Sequence, residues 1–345
     1  MILAGGVGSR FWPVSTPERP KQLLPLGSER PLIADTVARI TPLVPLPRTR
    51  VLTGQRLARP ILDAVPDLTR DQLLLEPAPR GTAPALAWAA HEIVRRDPDA
   101  VMVSLHSDHV IAPADAFRDL LAHVARLATL HDRLFTIGVE PTRPETGYGY
   151  IRVGDEIAPG SGAHRVAQFV EKPDRETAAG YLRRGGHLWN SGIFVWRAAT
   201  LLSELEKHTP ELAAHLPRLE AGDVEGYFRD VPELSIDEGL LERSDAVAVA
   251  RATFRWDDVG TWDAVGRIRE PDERGNVHEG DAVLVDSDRC IAWSDGGPVV
   301  LFGAADLVVV QSGGVTFVAP RDRTPELKSL LRQLPERILG LENRS

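Results

Sequence analysis

The sequence predicts an α/β protein, with a mostly parallel central sheet followed by a small β-rich, solenoid-like unit. Three observations predict it. Short apolar runs alternate with helical patterns through the first two-thirds of the chain. Those runs are continuous rather than alternating, as in strands covered on both faces. Beyond a polar stretch from Glu270 to Gly280, short β-rich segments recur every eight or nine residues.

Strands are expected at 1–4, 50–52, 72–75, 100–105 and 134–139, and helices at 32–40, 56–65, 83–96 and 115–130. The helix from Ala83 is the clearest. Thr82 can cap it, Pro84 suits a first turn, and Leu86, Ala89, Ala90, Ile93 and Val94 form one apolar stripe. From about Tyr148 the pattern changes. Strands at 150–153, 166–171 and 193–196 precede helical stretches over 198–239 and a strand at 246–250. The polar stretch sets the boundary between a domain at 1–268 and a second at 276–345. Strands are expected there at 282–285, 290–293, 299–302, 307–310 and 315–318, and a helix at 325–334 closes the chain. They read as a sandwich, a barrel or a solenoid-like unit. Ligands of parallel sheets bind beyond the strands' carboxyl ends, so chemistry is expected just after Ala4, Leu75 and Leu105.

Composition removes several function classes. The 345 residues carry 40 basic against 49 acidic side chains, a net charge of −9 that argues against a nucleic-acid scaffold. A single cysteine, Cys290, excludes an internal disulfide framework and a cysteine-rich zinc site. No apolar run approaches the ~20 residues of a membrane span, and no leader precedes Gly5, so a soluble, cytoplasmic protein is expected. Only four of the 40 basic residues are lysines: Lys21, Lys172, Lys207 and Lys328. A chain that prefers arginine keeps Lys21 and Lys172 inside segments that look functional for other reasons. A compact ammonium and a planar guanidinium are not interchangeable at a phosphate oxygen.

The first such segment, LAGGVGSR at 3–10, follows the first strand. Its glycines let the backbone approach a ligand and turn N–H groups toward phosphate oxygens. A dinucleotide fingerprint fails because Phe11 stands where a glycine is needed and Pro13, Pro17 and Pro20 forbid a long helix. A P-loop fails because no lysine follows the glycines. What remains is a glycine loop carrying Arg10 and a proline-braced segment delivering Lys21, two cations suited to a triphosphate. Asp108, in Ser107-Asp108-His109 past the fourth strand, is placed to hold Mg²⁺ for a nucleotide. His106 and His109 lack an evident third ligand and read as structural. In RWDDVGTW at 255–262, one of the paired carboxylates can complete the metal site, while Asp257 capping the next helix is equally open. Glu171 and Asn190, in segments 171–173 and 189–192, have the character of groups that bind sugar hydroxyls.

Together and in order, these segments resemble the mannose-1-phosphate guanylyltransferases of the sugar nucleotidylyltransferase family. The resemblance rests on ILAGGVGSRFWP at 2–13, PKQ at 20–22, TAPA at 82–85, SDH at 107–109, TGYGYI at 146–151, EKP at 171–173, WNSGIF at 189–194, SID at 235–237 and DVGTW at 258–262. It spans the chain to about Gly266 and is weaker beyond. It implies a Rossmann-like nucleotidyltransferase domain that joins GTP to mannose 1-phosphate with Mg²⁺, giving GDP-mannose and pyrophosphate. Leu3, Ala4, Gly5 and Gly6 would line the nucleotide site, with Gly8 and Arg10 at the phosphates. Lys21 would meet the α-phosphate or the sugar phosphate, and Gln55, Arg80 and Thr82 would lie near guanine. Asp108 and Asp258 would bind Mg²⁺; Gly147, Glu171 and Asn190 would hold mannose, with Lys172 at its phosphate. Arg10, Lys21, Asp108 and Asp258 would be catalytic. The C-terminal strands can pack as a homodimer contact, as in relatives.

Three departures stand out. His106 replaces a proline common among relatives, Glu238 replaces an aromatic residue after SID, and the chain begins at the first strand. The length leaves no room for the fused isomerase domain of longer members, so transferase activity alone is expected. Alternatives are another sugar 1-phosphate and nucleotide pair, or a non-catalytic nucleotide-sugar regulator of the same fold. A dehydrogenase is disfavoured by Phe11 and Pro13.

Overall fold

A computed structural model describes residues 1–6 and 8–339, so residues 340–345 of the expected C-terminal unit lie outside the described residues, as does Val7 of the glycine loop. Strands β1 (Ile2–Leu3), β2 (Val51–Gly54), β3 (Leu73–Glu76) and β4 (Val101–His106) pair in parallel in the order β3-β2-β1-β4. Their apolar residues are buried on both faces: Ile2, Val51 and Leu73 meet one helical layer, while Leu3, Leu52 and Met102 join the cluster around the helix Thr82–Val94. That covering is why their sequence runs are continuously apolar.

Next in chain order come β5 (Val110–Ala112), β6 (Leu134–Val139), β7 (Tyr150–Glu156), β8 (Ala163–Val170), β9 (His187–Arg197), β10 (Val247–Arg251) and β11 (Arg255–Asp257). The central sheet continues β4-β9-β6-β10-β8-β7, with β10 parallel to β6 and the other new neighbours antiparallel. β9 is much longer than the expected 193–196 and also pairs with β7, so Trp189 and Asn190 lie on a central strand. β11 pairs with β5 outside the sheet, carrying the chain from Trp256 back toward the end of β4. The expected helix at 115–130 spans Ala114–His131, and the expected cap at Thr82 is corrected: Gly81 is the N-cap and Thr82 opens the helix. The Thr82 hydroxyl is occupied instead by the backbone N–H of Ile236, at 2.8 Å.

The C-terminal unit consists of β12 (Val277–Glu279), β13 (Ala282–Val285), β14 (Ile291–Asp295), β15 (Val299–Phe302), β16 (Leu307–Ser312) and β17 (Val315–Pro320). β12, β14 and β16 stack in parallel, β13 pairs in parallel with β15, and β17 folds back antiparallel on β16. Successive turns stacking through parallel strands make it solenoid-like. β12 falls inside the polar stretch, at the start of the expected second domain, where Val277 is buried between Asn276 and His278. The closing helix also differs. It breaks into a 3₁₀ turn Arg321–Glu326, a helix Leu327–Leu331 and a helix Glu336–Leu339, with Pro325 inside the 3₁₀ segment and Pro335 before the last helix. No described helix is long and apolar enough to cross a membrane.

One cluster joins the two units. Phe11, Val14, Leu24 and Leu26 from the N-terminal loop pack with Val259 and Trp262, and with Ile291, Trp293, Val310, Phe317 and Leu327 of the C-terminal unit. Trp262 is fully buried, stacks at an angle on Phe11 with ring centroids 5.0 Å apart, and donates from Nε1 to the Trp12 carbonyl at 3.1 Å. Arg269 reinforces the joint by donating to the Leu26 and Pro25 carbonyls at 2.9 and 2.6 Å. Trp262→Ala should therefore cost about 3–5 kcal/mol of unfolding free energy. Denaturant unfolding checks this; a loss below about 1 kcal/mol would contradict a shared core.

Candidate active site

The glycine loop leaves β1 with its carbonyls turned inward. Gln22 Nε2 donates to the Ala4 and Gly6 carbonyls at 3.2 and 3.1 Å, Thr53 Oγ1 donates to Ala4 at 2.9 Å, and the Ser15 hydroxyl donates to Gly8 at 2.8 Å. Among the described residues the N–H groups of Gly5 and Gly6 donate to nothing, which suits an anion. Gly8 has φ +63°, and any Cβ there would collide with Lys21. Glycine at this position therefore lets Lys21 close against the loop.

Lys21 is 7% exposed and joins three distant stretches. Its ammonium donates to Asp108 Oδ2 at 2.8 Å and to the backbone carbonyl of Asp258. Asp108 and Asp258 line one cavity of about 320 Å³ with Gly8, Arg10 and Lys21. Burial alone would raise the Asp108 carboxyl, but the Lys21 ammonium outweighs it and holds the group well below the usual carboxylate range. Asp258 goes the other way. Burial raises it, Lys21 only partly opposing, and the negative charges of Asp257 and Asp108 add to the rise. Asp258 Oδ1 accepts from the Tyr148 hydroxyl and from Gly260 N at 3.1 Å.

The paired carboxylates have separate tasks. Asp257 is bound by Arg267 Nε at 2.8 Å and accepts from Val259 N at 2.8 Å. It does not cap the following helix, whose N-cap is Thr261, so that reading is corrected. Between Asp258 and the next turn, Val259 sits at φ +50°, a left-handed conformation costly for a β-branched residue, with its side chain wholly buried in the shared cluster. Packing of that side chain holds the strained turn, and the turn aims the Asp258 carbonyl at Lys21.

His106, Asp108 and His109 bring potential ligand atoms within 4.8 Å of one another, so a third group does stand beside the two histidines. Hydrogen bonding argues against a nitrogen-rich metal site there. Trp256 Nε1 donates to His109 Nδ1 at 3.1 Å, which places the proton of a neutral imidazole on Nε2, the atom facing Asp108. Burial lowers both histidines, keeping them neutral. The donors left for a cation are the carboxylates of Asp108 and Asp258, oxygen ligands that fit a hard divalent ion such as Mg²⁺.

A second cavity, of about 250 Å³, is lined by Leu3, Thr82, Gly147, Glu171, Lys172 and Asn190, and it shares His106, His109 and Asp258 with the first. The two join at His106. Gly192, at φ +69°, would place a Cβ 2.7 Å from His106 Nε2, so only glycine lets the histidine occupy the junction. Asn190 is fixed from both ends: its Oδ1 accepts from the Thr136 hydroxyl at 2.8 Å and its Nδ2 donates to Asp237 Oδ1 at 2.8 Å. Lys172 pairs with Glu171, a bond that outweighs burial and raises the ammonium.

The expected residues therefore fall into three groups. Gly8, Arg10, Lys21, Asp108 and Asp258 line the first cavity, and Leu3, Thr82, Gly147, Glu171, Lys172 and Asn190 line the second. Ala4, Gly5, Gly6, Gln55 and Arg80 line neither. Gln55 is exposed at the carboxyl end of β2. Arg80 is turned away, its guanidinium donating to the Phe228 and Arg229 carbonyls at 2.7 and 2.8 Å. Residue spacing did not single out Gln22, Tyr148, Asp237 or Glu76. Glu76 ends β3 with its Oε1 3.7 Å from where a Gly5 Cβ would stand. It has no hydrogen-bond or ion-pair partner among the described residues, and burial pushes it up to about 7.

A mixed sheet with a parallel block β3-β2-β1-β4, a glycine loop after β1 and two acidic stretches converging on that loop define a nucleotidyltransferase architecture. The nucleotidyl transferase family profile matches residues 1–274, and that of the MannoseP isomerase/GMP-like β-helix domain matches residues 280–334. The chain belongs to the nucleotidyl transferase family. It is 37% identical to the alginate biosynthesis protein AlgA of Pseudomonas putida, over 97% of this chain and 71% of that protein. It is 36% identical to the mannose-1-phosphate guanylyltransferase ManC of Salmonella typhimurium, over 97% and 72%. Among solved structures, that of a mannose-1-phosphate geranyltransferase from Thermus thermophilus matches with a TM-score of 0.88 at 35% identity, covering 96% of this chain and 97% of that one.

Asp237 yields a pH test. Burial, with the Glu171 charge beside it, pushes its carboxyl up to about 7 from an ordinary 3.8. Folding takes up a proton between those values, so its contribution is full below about pH 4 and is lost as pH rises through 7. In unfolding measurements without ligand, Asp237→Asn should lose less stability than wild type between about pH 5 and 8. An unchanged slope would mean that Asp237 ionises freely.

Proposed function

We propose that the chain transfers a guanylyl group from GTP to mannose 1-phosphate, giving GDP-mannose and pyrophosphate. The observation that carries this reading is the pair of joined cavities: a cationic one bordered by the glycine loop, and one lined with hydroxyl-binding groups, meeting at His106 and Asp258. A nucleotide in the first and a sugar phosphate in the second would bring their phosphates together at that junction. An oxygen of the sugar phosphate attacks the α-phosphorus, a new P–O bond forms, and the bond to the β-phosphate oxygen breaks to release pyrophosphate. The nucleophile arrives already anionic, so no general base is required. Catalysis is positioning and charge neutralisation.

Each group then has a task. Lys21 passes from Asp108 to a phosphate oxygen as substrate enters, and Arg10, which has no partner among the described residues, neutralises the triphosphate. Mg²⁺ held by Asp108 and Asp258 would supply further charge neutralisation at the phosphates. Glu171 accepts from mannose hydroxyls and the Asn190 amide bonds to them, with Thr136 and Asp237 fixing the amide, and Lys172 meets the sugar's phosphate. Glu76 supports guanine: an unpartnered carboxylate beside the loop matches the paired donors N1–H and N2–H₂, which uracil, thymine and adenine lack. A homodimer through the C-terminal strands fits the same reading, because β13 and β15 leave Val283, Val285, Val300 and Phe302 exposed on apolar surface that a second copy would cover. A cytoplasmic setting, where GTP is available, fits as well.

Pyrophosphate release with GTP and mannose 1-phosphate should require a divalent ion and exceed release with UTP, dTTP or glucose 1-phosphate. Release with a different pair would replace these substrates, and none with any pair would leave a binding protein of the same fold. Asp258→Asn should lower kcat about 10²–10³-fold while melting near wild type, and Lys21→Ala should lower kcat as far and also lower the melting temperature, because Asp108 loses its buried partner; near-normal turnover would remove that residue from the mechanism. Glu76→Gln should lower kcat/KM for GTP about tenfold or more, with a smaller loss for ITP, which lacks the 2-amino group. Equal losses for both nucleotides would move Glu76 away from that group.

A further inference from the structure

We propose that Lys328, carried by the C-terminal unit, is part of the phosphate site and binds the terminal phosphates of the nucleoside triphosphate, the part released as pyrophosphate. The inference rests on the cavity taking a triphosphate, but not on which base or sugar is used.

Lys328 lines the same cavity as Gly8, Arg10, Lys21, Asp108 and Asp258, although it lies seventy residues beyond the last of them. Its placement is built. The helix Leu327–Leu331 packs against the short turn Ser9–Phe11 that carries Arg10. Leu327 is 2% exposed, inserted in the cluster with Phe11, Trp262 and Phe317, and Leu331 packs on the same cluster. The buried leucine fixes the helix, and the next residue reaches the cavity with an exposed ammonium.

Charge makes the placement useful. Lys21 is already engaged by Asp108 and Asp258, whereas Arg10 and Lys328 have no hydrogen-bond or ion-pair partner among the described residues. Three cations against two carboxylates leave the cavity positive, and the two unpartnered ones are those that a polyanion can recruit without breaking a bond. Lysine usage points the same way. Of the four lysines, Lys21 and Lys328 line this cavity, Lys172 lines the second, and Lys207 lines neither, standing near Glu204 on its own helix. The C-terminal unit is thus a contributor to substrate binding as well as a structural appendage.

The test uses the full-length chain and Mg²⁺-pyrophosphate as the probe, by titration calorimetry. Lys328→Ala should bind pyrophosphate about tenfold more weakly than wild type, Lys328→Arg should recover most of the loss, and Lys207→Ala should not differ. In turnover, Lys328→Ala should raise KM for the nucleotide about tenfold while leaving KM for the sugar phosphate within twofold. Pyrophosphate binding by Lys328→Ala within twofold of wild type, with an unchanged melting temperature, would overturn the proposal. So would an equal rise in both KM values, which would indicate a structural effect. Wild type that binds pyrophosphate but turns over no pair would sink the catalytic reading, and the binding comparison would still decide the role of Lys328.

Discussion

One buried ammonium organises this molecule. Lys21 is held where a carboxylate from the end of β4 and a carbonyl from the turn after β11 both reach it, so segments more than a hundred residues apart share one charge. Without that cation, Asp108 and Asp258 would face each other in a partly desolvated cavity, and mutual repulsion would favour opening it. The surrounding features serve this contact. Gly8 lacks the Cβ that would push Lys21 away, Gln22 ties down the loop on the other side, and Val259 accepts a left-handed backbone to aim the Asp258 carbonyl. On the proposed reading, a substrate phosphate would compete for Lys21 and leave Asp108 and Asp258 to a divalent cation.

The second organising feature is the core shared by the two units. Trp262 follows the Asp258 turn directly, and its ring packs between Phe11, just after the glycine loop, and Trp293 of the solenoid. Loop, acidic turn and C-terminal unit are thus positioned by one set of apolar contacts. A solenoid attached this way is not free to move as a bead on a linker. The polar stretch after Arg269 marks a domain boundary in sequence, yet Arg269 pins its start and Val277 is buried within it.

What the sequence made legible follows from the range of the physics. The strands β1 to β4, the glycine loop and the helix at Thr82 are local: apolar runs, missing Cβ atoms and helical periodicity announce them within a dozen residues. Asp108 could be picked out because it follows such an element, and Lys21 because a rare lysine stands in the proline-braced segment after the glycine loop. Choosing Asp258 over Asp257 was not decidable locally, since it depends on Arg267 drawing one carboxylate away. Asp237 and Glu76 escaped notice for the same reason, their importance lying in burial and in neighbours such as Asn190 and Gly5. Arg80 shows the converse. The resemblance alone placed it near guanine, and its guanidinium is taken up by two backbone carbonyls near the end of a helix.

The most direct test of the account is a crystal structure of the full-length chain with mannose 1-phosphate and a non-hydrolysable GTP analogue. The account predicts phosphates of both ligands meeting beside His106, with Lys21 Nζ moved from Asp108 onto a phosphate oxygen. A nucleotide bound elsewhere, with Lys21 still closed on Asp108, would contradict it.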